Sequence, residues 1–408
     1  MNICFFAIVT CEHGIRGGME IHVRLLSEGL AERGHRVTII STNNPKGKEF
    51  EDINGISMYY LKNTIFDSKR RGWKTASLKK FIELDAIIKF DIICSVSTAI
   101  PKELISLAGK RKIPVVVISE GPRISVLLSE IKQTLSLRSG FKDLIKTFLM
   151  FFYYYFFWEL LFKEYDAVIA VSERVAKAIQ KWHFVDKEKI HTVYNGVEIN
   201  LFSPDQSERE RIRRTLAISD DEKVLLFFSF VTKQKGLHLL IKALPDILKE
   251  YRCIKLLVVG EGDYLIEARQ LVRQLGLEKD VIFVGHIPRK DAPDYINASD
   301  VFILPTLRQE GMPFSLLEAM SCGKPVIASK IGGISSVVDD GIDGLLILPG
   351  DVSKLIEKTI FLLNNKDFAD KLAVNAREKA VKKFSLEKMI DETIKVFKLA
   401  ITNIKKQG

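Results

Sequence analysis

Short apolar runs alternate with helix-length amphipathic segments along the whole chain. Such runs are typical of strands buried on both faces, and the segments between them are typical of helices that cover a sheet. The alternation predicts a parallel sheet in a doubly wound α/β domain. In the first half the strand candidates are ICFFAIV (3–9), RVTIIS (36–41), DIICSVS (91–97), PVVVIS (114–119) and DAVIAVS (166–172).

The same pattern restarts in the second half. We place the linker near residues 196–205, because Asn195-Gly196 and Ser203-Pro204 are turn signals. The later strand candidates are KVLLFFSFV (223–231), IKLLVVG (254–260), DVIFVG (280–285), DVFILP (300–305), PVIAS (325–329) and GLLILPG (344–350).

Two Rossmann-like domains are therefore expected, an N-terminal one at residues 1–200 and a C-terminal one at 201–384. The tail, 385–408, has helical spacing, and we expect it to pack back on the N-terminal domain. Two such domains with their sheets facing a central cleft would bind ligands at the carboxyl ends of the strands, as open α/β sheets do.

One aromatic segment, FLMFFYYYFFW (148–158), breaks this rhythm. It is too short to span a bilayer, which needs about 20 apolar residues. It is either a helix buried on the first sheet or an interfacial element. We favour the interfacial interpretation, with membrane contact through 137–163, because Tyr and Trp prefer the headgroup level and nearby cations attract anionic lipid. A second basic stretch (68–81), which contains Trp73, is equally compatible with a solvated face and a membrane-facing one.

Composition narrows the class of protein. The 408 residues suit about two domains, and the 61 Lys and Arg against 51 Asp and Glu give a net charge of +10. A basic chain suits nucleic acid, anionic membrane or phosphorylated substrates, but no nucleic-acid motif is present, so we expect no nucleic-acid partner.

Compartment signals agree with one another. Five scattered cysteines without ligand-like spacing favour thiols in a reducing compartment, and the first apolar stretch lacks the basic region and cleavage site of a signal peptide. We expect a cytoplasmic protein that works at the cytoplasmic face of the membrane.

The first candidate for chemistry is the pair Gly17-Gly18, between the first strand and a helix. Glycines there let the backbone approach a ligand, and N–H groups at a helix start favour an anion. The alternative is a plain connection from strand to helix. The pair is not a G-x-G-x-x-G fingerprint, so no dinucleotide follows from it.

The second candidate is the lysine loop after the first strand of the second half. Lys233 and Lys235 flank a turn that ends at Gly236. A lysine at the carboxyl end of a strand can neutralise phosphate charge in the cleft. The alternative is an ordinary exposed pair of loop lysines.

The third candidate is LRQEGMPFSLLEAM (307–320), which carries Glu310 and Glu318. A local explanation is a capping box with Ser315 as N-cap and Glu318 at N3, which leaves Glu310 as a loop acid near a helix start. A functional explanation is that the loop leaves a strand at the carboxyl edge. The backbone N–H groups that a polar ligand would meet there are those of Gly311, Met312 and Phe314.

In order along the chain, these sites resemble those of the retaining glycosyltransferases with the GT-B fold, family 4. The resemblance covers nearly the whole chain and is specific as an ordered set. Its motifs are Gly17, Gly18 and Glu20 followed by RGHRVTIIS, then VYNGVEINLFSP (193–204), KQKG, VVGEGD (258–263), VIFVGHIP (281–288) and the E-x7-E pair Glu310 and Glu318.

The resemblance implies a nucleotide-diphosphate-sugar donor on the C-terminal domain and an acceptor against the N-terminal domain. Lys235 then faces the diphosphate, Glu318 takes the ribose hydroxyls and Glu310 sits beside the transferred sugar. No cofactor and no metal is implied, because cations and helix N-termini supply the charge. The other implied substrate contacts are Gly17, Gly18, Glu20, Lys233, Gly311, Met312, Phe314 and, beside the nucleotide base, Ile287.

Two departures from the family pattern matter. The family usually has Gly-Arg-Leu where this chain has Ser229-Phe230-Val231, so phosphate stabilisation would rest on Lys235, with Lys233 as a substitute. The family also often has a histidine where this chain has Glu120, which would mark a different contact on the acceptor side.

The expected function is retaining transfer of a sugar to an acceptor hydroxyl, on a lipid-linked or polysaccharide acceptor at the membrane surface. One alternative keeps the fold and changes the reaction to that of a nucleotide-sugar epimerase. Another is a non-catalytic, membrane-associated sugar-nucleotide-binding protein. The sequence leaves the sugar, the base, the acceptor and the oligomeric state open.

Overall fold

The computed structural model describes residues 1–14, 17–65, 71–97, 99–121, 145, 149 and 159–406. The chain forms two compact units. One contains Met1–Asn195 together with Leu386–Gly408, and the other contains Gly196–Ser385. The chain crosses between them after Asn195, within the Asn-Gly turn signal, and crosses back after Ser385.

The sheet of the first unit has the order β3-β4-β2-β1-β5-β6-β7-β8, and its neighbours are parallel except for the antiparallel pair β3 and β4. Its central strands are buried on both faces, as their apolar runs predict. The described strands are β1 (Asn2–Ala7), β2 (Arg36–Thr42), β3 (Phe50–Ile53), β4 (Ile56–Leu61), β5 (Ile92–Val96), β6 (Val115–Ser119), β7 (Ala167–Ala170) and β8 (Ile190–Thr192).

The sheet of the second unit is parallel throughout its described strands and has the order β11-β10-β9-β12-β13-β14. Its core joins these strands to the helices that flank them. The strands are β9 (Lys223–Phe228), β10 (Ile254–Val259), β11 (Val281–Gly285), β12 (Val301–Leu304), β13 (Val326–Ser329) and β14 (Leu345–Ile347).

Helices alternate with the strands in both units, which is the doubly wound pattern. In chain order the described helices are α1 (Gly18–Glu32), α2 (Trp73–Ile88), α3 (Lys102–Lys110), α4 (Glu173–His183), α5 (Gln206–Thr215), α6 (Leu237–Glu250), α7 (Leu265–Gln274), α8 (Ala292–Ala298), α9 (Phe314–Ser321), α10 (Ile334–Val337), α11 (Val352–Asn364), α12 (Lys366–Lys383) and α13 (Leu386–Lys406).

The α/β class predicted from the sequence is confirmed, and each predicted strand is present, with ends that lie within about three residues of the predicted ones. The hairpin of β3 and β4 was not predicted. Its turn is Asn54-Gly55, with both φ angles positive (53° and 79°), and an Asn-Gly pair is a strong hairpin signal. The sequence of β3, Phe-Glu-Asp-Ile, has no apolar run, because this strand lies at the edge of the sheet and none of its residues is fully buried.

The last helix, α13, packs on α1 within the first unit. Gly29 makes the close approach possible, because a Cβ at that position would overlap the side chain of Ile390. An ion pair at 3.0 Å between Arg33 Nε and Asp391 Oδ1 lies beside this contact.

The two segments considered for membrane contact have different outcomes. The aromatic run 148–158 lies outside the described residues except for Leu149, whose side chain is exposed. In the basic stretch, Trp73 is fully buried and donates a 2.7 Å hydrogen bond to the carbonyl of Ala99, so the membrane-facing interpretation is wrong for this indole. Among the described helices, we find none with both the length and the apolarity needed to cross a bilayer.

Candidate functional site

The strand order of the second unit places two loops side by side. From β9 the chain moves outward to β10 and β11, and it then returns to β12 on the other side of β9. The loops after β9 and β12 therefore leave neighbouring strands in opposite directions at the carboxyl edge. This is the topological switch point at which open α/β sheets bind ligands.

Backbone hydrogen bonds lock these two loops together. The N–H of Leu307 donates to the carbonyl of Gln234 at 2.8 Å. Gly236 has a φ of +81°, and a Cβ there would overlap the carbonyl oxygen of Pro305, so only glycine fits both the backbone and the space. Lys235, which directly precedes this glycine, is thereby held against the loop after β12.

The predicted acid and cation meet at this point. Lys235 Nζ lies 2.7 Å from Glu310 Oε1, and their side chains are only 16% and 12% exposed. The hydroxyl of Thr306 lies 3.1 Å from the same oxygen. A largely buried ion pair with a hydroxyl beside it can exchange partners with an incoming anion. Lys233, the other predicted cation, is exposed on the same turn.

A second glycine pair, which the sequence reasoning missed, fixes the backbone of Glu310. Gly333 donates its N–H to the carbonyl of Glu310 at 2.7 Å. Gly332 has a φ of +53°, and a Cβ there would overlap the same carbonyl. The pair follows the buried strand PVIAS, so the signal that identified Gly17-Gly18 was present here too.

The capping-box interpretation of 315–318 is wrong. Helix α9 begins at Phe314 with Pro313 as N-cap and no side-chain cap, so Ser315 lies inside the helix. Glu318 is the fifth helical residue, more than one turn from the start, where a carboxylate does not reach the first N–H groups. Its side chain is available for a contact elsewhere. Of the predicted amide positions, Met312 and Phe314 are buried and Gly311 is half-buried.

Glu318 pairs with Arg289, a residue that no sequence signal identified. Nη1 of Arg289 donates to Glu318 Oε1, and Nη2 donates to Glu198 Oε2 at 2.8 Å. Burial acts to lower the pKa of Arg289, but the two carboxylates outweigh burial and leave the pKa raised. Ile287, the predicted neighbour of the base, lies half-buried two residues earlier in the same loop.

In the first unit, Gly17 and Gly18 occupy the predicted position, with Gly17 as N-cap and Gly18 as first residue of α1. The carboxyl group of Glu20 sits at this helix start. Burial raises the pKa of Glu20, whereas hydrogen bonds from the N–H groups of Glu20 and Gly17 act to lower it. The carboxyl group of Glu20 thus accepts hydrogen bonds at the turn that we predicted to contact a diphosphate. The diphosphate contact itself stays a prediction.

Glu120 follows β6 at the carboxyl edge of the first sheet. His22 Nδ1 lies 2.8 Å from Glu120 Oε1, and Nδ2 of Asn195 donates to Glu120 Oε2 at 3.2 Å. Both partners are buried and were missed as site residues, although they lie in the motifs around Glu20 and Gly196. The carboxylate of Glu120 is therefore fixed by contacts with two buried side chains.

Two further observations concern metals and thiols. The described residues contain no group of three His, Cys, Asp or Glu side chains arranged to hold a metal ion. Metal-independent chemistry stays a prediction. The five cysteines all lie in described parts of the chain, and no disulfide joins them.

Comparison with known proteins identifies the class. Residues 16–201 match the family model Glycosyltransferase Family 4, and residues 208–379 match Glycosyl transferases group 1. These two matches and the two parallel α/β units define the chain as a GT-B glycosyltransferase. Within that class it belongs to family 4, as the sequence resemblance predicted.

Relatives match along most of their length. The glycosyltransferase MJ1607 of Methanocaldococcus jannaschii is 27% identical over 97% of this chain and 98% of its own. The alpha-monoglucosyldiacylglycerol synthase of Streptococcus pneumoniae is 28% identical over 81% of this chain and 71% of its own. The crystal structure of HepE from Anabaena with UDP and glucose superposes with a TM-score of 0.74 at 22% identity, over 98% of this chain and 100% of that one.

Proposed function

We propose that the protein is a retaining, metal-independent glycosyltransferase that moves a sugar from a nucleotide-diphosphate sugar to an acceptor hydroxyl. The acceptor is lipid-linked or a polysaccharide, at the cytoplasmic face of the membrane. The observation that carries this proposal is the ion pair of Lys235 and Glu310 at the switch point of the second unit.

The positions of charged side chains in the second unit support one orientation of the bound donor. Lys235 and Lys233 lie on one loop and suit the diphosphate. Glu318 lies in α9 and suits the ribose hydroxyls, since a carboxylate accepts hydrogen bonds and repels phosphate. HepE, a structural neighbour, was solved with UDP and glucose, which agrees with a nucleotide-sugar donor.

The proposed chemistry uses these positions. The bond between the anomeric carbon and the diphosphate oxygen breaks, and Lys235 supports the charge that develops on the leaving group. The acceptor hydroxyl forms its bond on the same face and passes its proton to the departing phosphate oxygen, so the configuration is retained. Glu310 orients the sugar and supports its oxocarbenium-like charge without forming a covalent bond.

Two observations support a lipid-linked acceptor. The aromatic run 148–158 with its basic neighbours is typical of an interfacial element. A relative that matches 81% of this chain is named for the synthesis of a glucosyldiacylglycerol. We place Glu120 on the acceptor side of the site.

A thermal-shift screen of UDP-, GDP- and ADP-sugars tests the proposal. A bound donor stabilises the folded protein by mass action, by about 2.7 kcal/mol at 100 times its dissociation constant. We expect one nucleotide class to raise the melting temperature and to be consumed with net retention when acceptor vesicles are added. A new sugar nucleotide formed without any acceptor would instead indicate an epimerase, and no shift with any donor would contradict the proposal.

A further inference from the structure

We propose that Arg289 is a positioning residue for donor recognition. It sets the carboxylate of Glu318 so that this group accepts hydrogen bonds from the ribose diol, and it thereby makes the protein select ribonucleotides over deoxyribonucleotides. This inference rests on the proposed function of the second unit as the donor-binding unit.

The contacts of Arg289 divide its guanidinium between two acids. Nε and Nη2 both donate to Glu198 Oε2, at 3.2 and 2.8 Å, while Nη1 donates to Glu318 Oε1. A planar guanidinium bound on two edges cannot turn without breaking one of them. The bond to Glu318 uses one of its oxygens, so the orientation of the whole carboxylate is set while Oε2 is left to other donors.

A buried aromatic ring fixes Arg289 from a third side. Its Cζ lies 4.9 Å from the ring centroid of Phe202, within cation–π range. The carbonyl of Phe202 accepts a 2.6 Å hydrogen bond from the hydroxyl of Ser321, which ends the helix that carries Glu318. The ring beneath the guanidinium and the carboxylate in front of it are therefore tied to the same helix, α9.

The net charge of Arg289, Glu198 and Glu318 determines which part of a nucleotide can bind beside them. Two carboxylates share one guanidinium, so the triad has a net charge of −1 when all three groups are ionised. Glu318 is only 3% exposed, and repulsion between charges is stronger where water is scarce. A phosphate would be repelled, whereas a vicinal diol offers two hydroxyl donors to a carboxylate that is already oriented.

A merely structural ion triad would behave differently from a positioning one. Its disruption would lower the stability of the fold and weaken the binding of every nucleotide by the same factor. Misplacing Glu318 instead weakens binding of the ligand that has both hydroxyls more than binding of a 2′-deoxy ligand, which keeps only the 3′-hydroxyl. The ratio of two dissociation constants separates these cases, because effects common to both ligands cancel.

The test measures binding of UDP and of 2′-deoxy-UDP by calorimetry to the wild type, Arg289→Lys and Arg289→Gln. Lysine keeps the positive charge but lacks the planar set of N–H groups of the guanidinium, and glutamine keeps a hydrogen-bond donor without the charge. Arg211→Lys is a matched control, because Arg211 also bridges two acids of this unit, Glu208 and Asp294, at the exposed surface. GDP and ADP, each with its 2′-deoxy form, are used if the screen selects another base.

We expect the wild type and Arg211→Lys to bind the ribonucleotide about 10-fold or more tighter than its deoxy form, as a lost hydrogen bond to a charged group predicts. In both Arg289 variants the preference should fall to about twofold or less, with kcat for donor hydrolysis reduced less than the affinity. A folded Arg289 variant that keeps the wild-type ratio would overturn the inference. Wild-type protein that binds no nucleoside diphosphate at all would overturn the proposed function with it.

Discussion

At the scale of single residues, the ion pair of Lys235 and Glu310 has opposite charges that satisfy each other in the absence of a donor. In the proposed mechanism, a diphosphate that takes over Lys235 would release Glu310 toward the sugar. Such an exchange of partners would account for the contact between two groups with separate predicted roles. Glu310 is also fixed through its own carbonyl by Gly333, so its backbone does not have to move.

Removing either member of the pair should slow sugar transfer. We expect Lys235→Ala and Glu310→Gln each to lower kcat by about 10²- to 10³-fold, the usual effect of losing one charge-stabilising group. The double variant should be little slower than either single one, because the two residues act as a unit. Initial rates of product formation check this.

The control for those variants is Lys354→Ala, which breaks an exposed lysine–glutamate pair with Glu357 on α11. It should retain the wild-type rate. Near-normal rates in folded Lys235→Ala and Glu310→Gln would show that the pair is not part of the reaction.

His238 gives a prediction about acid stability. Burial, with the charges of Lys242 and Lys233, lowers its pKa in the folded protein from 6.5 to about 4. The unfolded chain therefore binds a proton below pH 6.5 that the folded chain refuses, so folding stability falls as the pH drops from 6.5 toward 4. We expect His238→Phe to remove about 1 kcal/mol of the loss between pH 7 and pH 5, a value discounted for partial exposure.

Chemical denaturation of the wild type and His238→Phe at pH 7 and pH 5 measures this difference. Because every other titrating group is common to both proteins, the change in their stability difference isolates His238. An unchanged difference between the two pH values would contradict the assigned pKa direction.

At the scale of elements, close helix packing depends on a missing side chain. In α1 the Gly29 position meets Ile390 of α13 so closely that a Cβ would overlap it. The last helix is thereby held to the first one within the unit that contains both chain ends. The contact spans most of the sequence and cannot be inferred from either helix alone.

Gly29→Ala should destabilise the protein by about 1–3 kcal/mol, the usual cost of overpacking. Gly109→Ala is the matched control, because Gly109 also lies in a helix, α3, and a Cβ there would meet nothing within 4 Å. That control should be neutral or more stable by up to about 1 kcal/mol, since alanine favours helix. Equal free energies of unfolding for both variants would exclude tight packing at Gly29.

At the scale of the whole molecule, the net charge of +10 and the aromatic run 148–158 bear on where the protein works. Anionic lipid attracts basic segments within about 8–10 Å at physiological salt, and aromatic side chains add binding that salt does not screen. The two contributions can therefore be separated by ionic strength.

Replacing the aromatic residues of 151–157 with polar ones should abolish most of the salt-resistant binding to phosphatidylglycerol vesicles. Co-sedimentation at about 0.1 M and about 0.5 M salt measures it, with neutral phosphatidylcholine vesicles as the control. If the variant still sediments like the wild type at high salt, the run does not contact lipid.

Much of the fold was predictable because buried parallel strands leave a local signature. Each apolar run contains its own β signal, and the predicted strands all exist. The hairpin at Asn54-Gly55 and the helix start at Phe314 were misjudged for opposite reasons. The first had a clear turn signal beside an inconspicuous strand, and the second had a capping motif that the chain does not use.

By itself the sequence determined the α/β class, the family and the individual site candidates, because hydrophobic periodicity and ordered motifs are local properties. Only the tertiary structure decided which candidates touch. The adjacency of β9 and β12 brings Lys235 to Glu310 across 75 positions, and Arg289, which directly follows the VIFVGHIP motif, reaches both Glu198 and Glu318. Such partners are set by strand order and by packing at the carboxyl edge, and neither leaves a mark on the neighbouring residues of the chain.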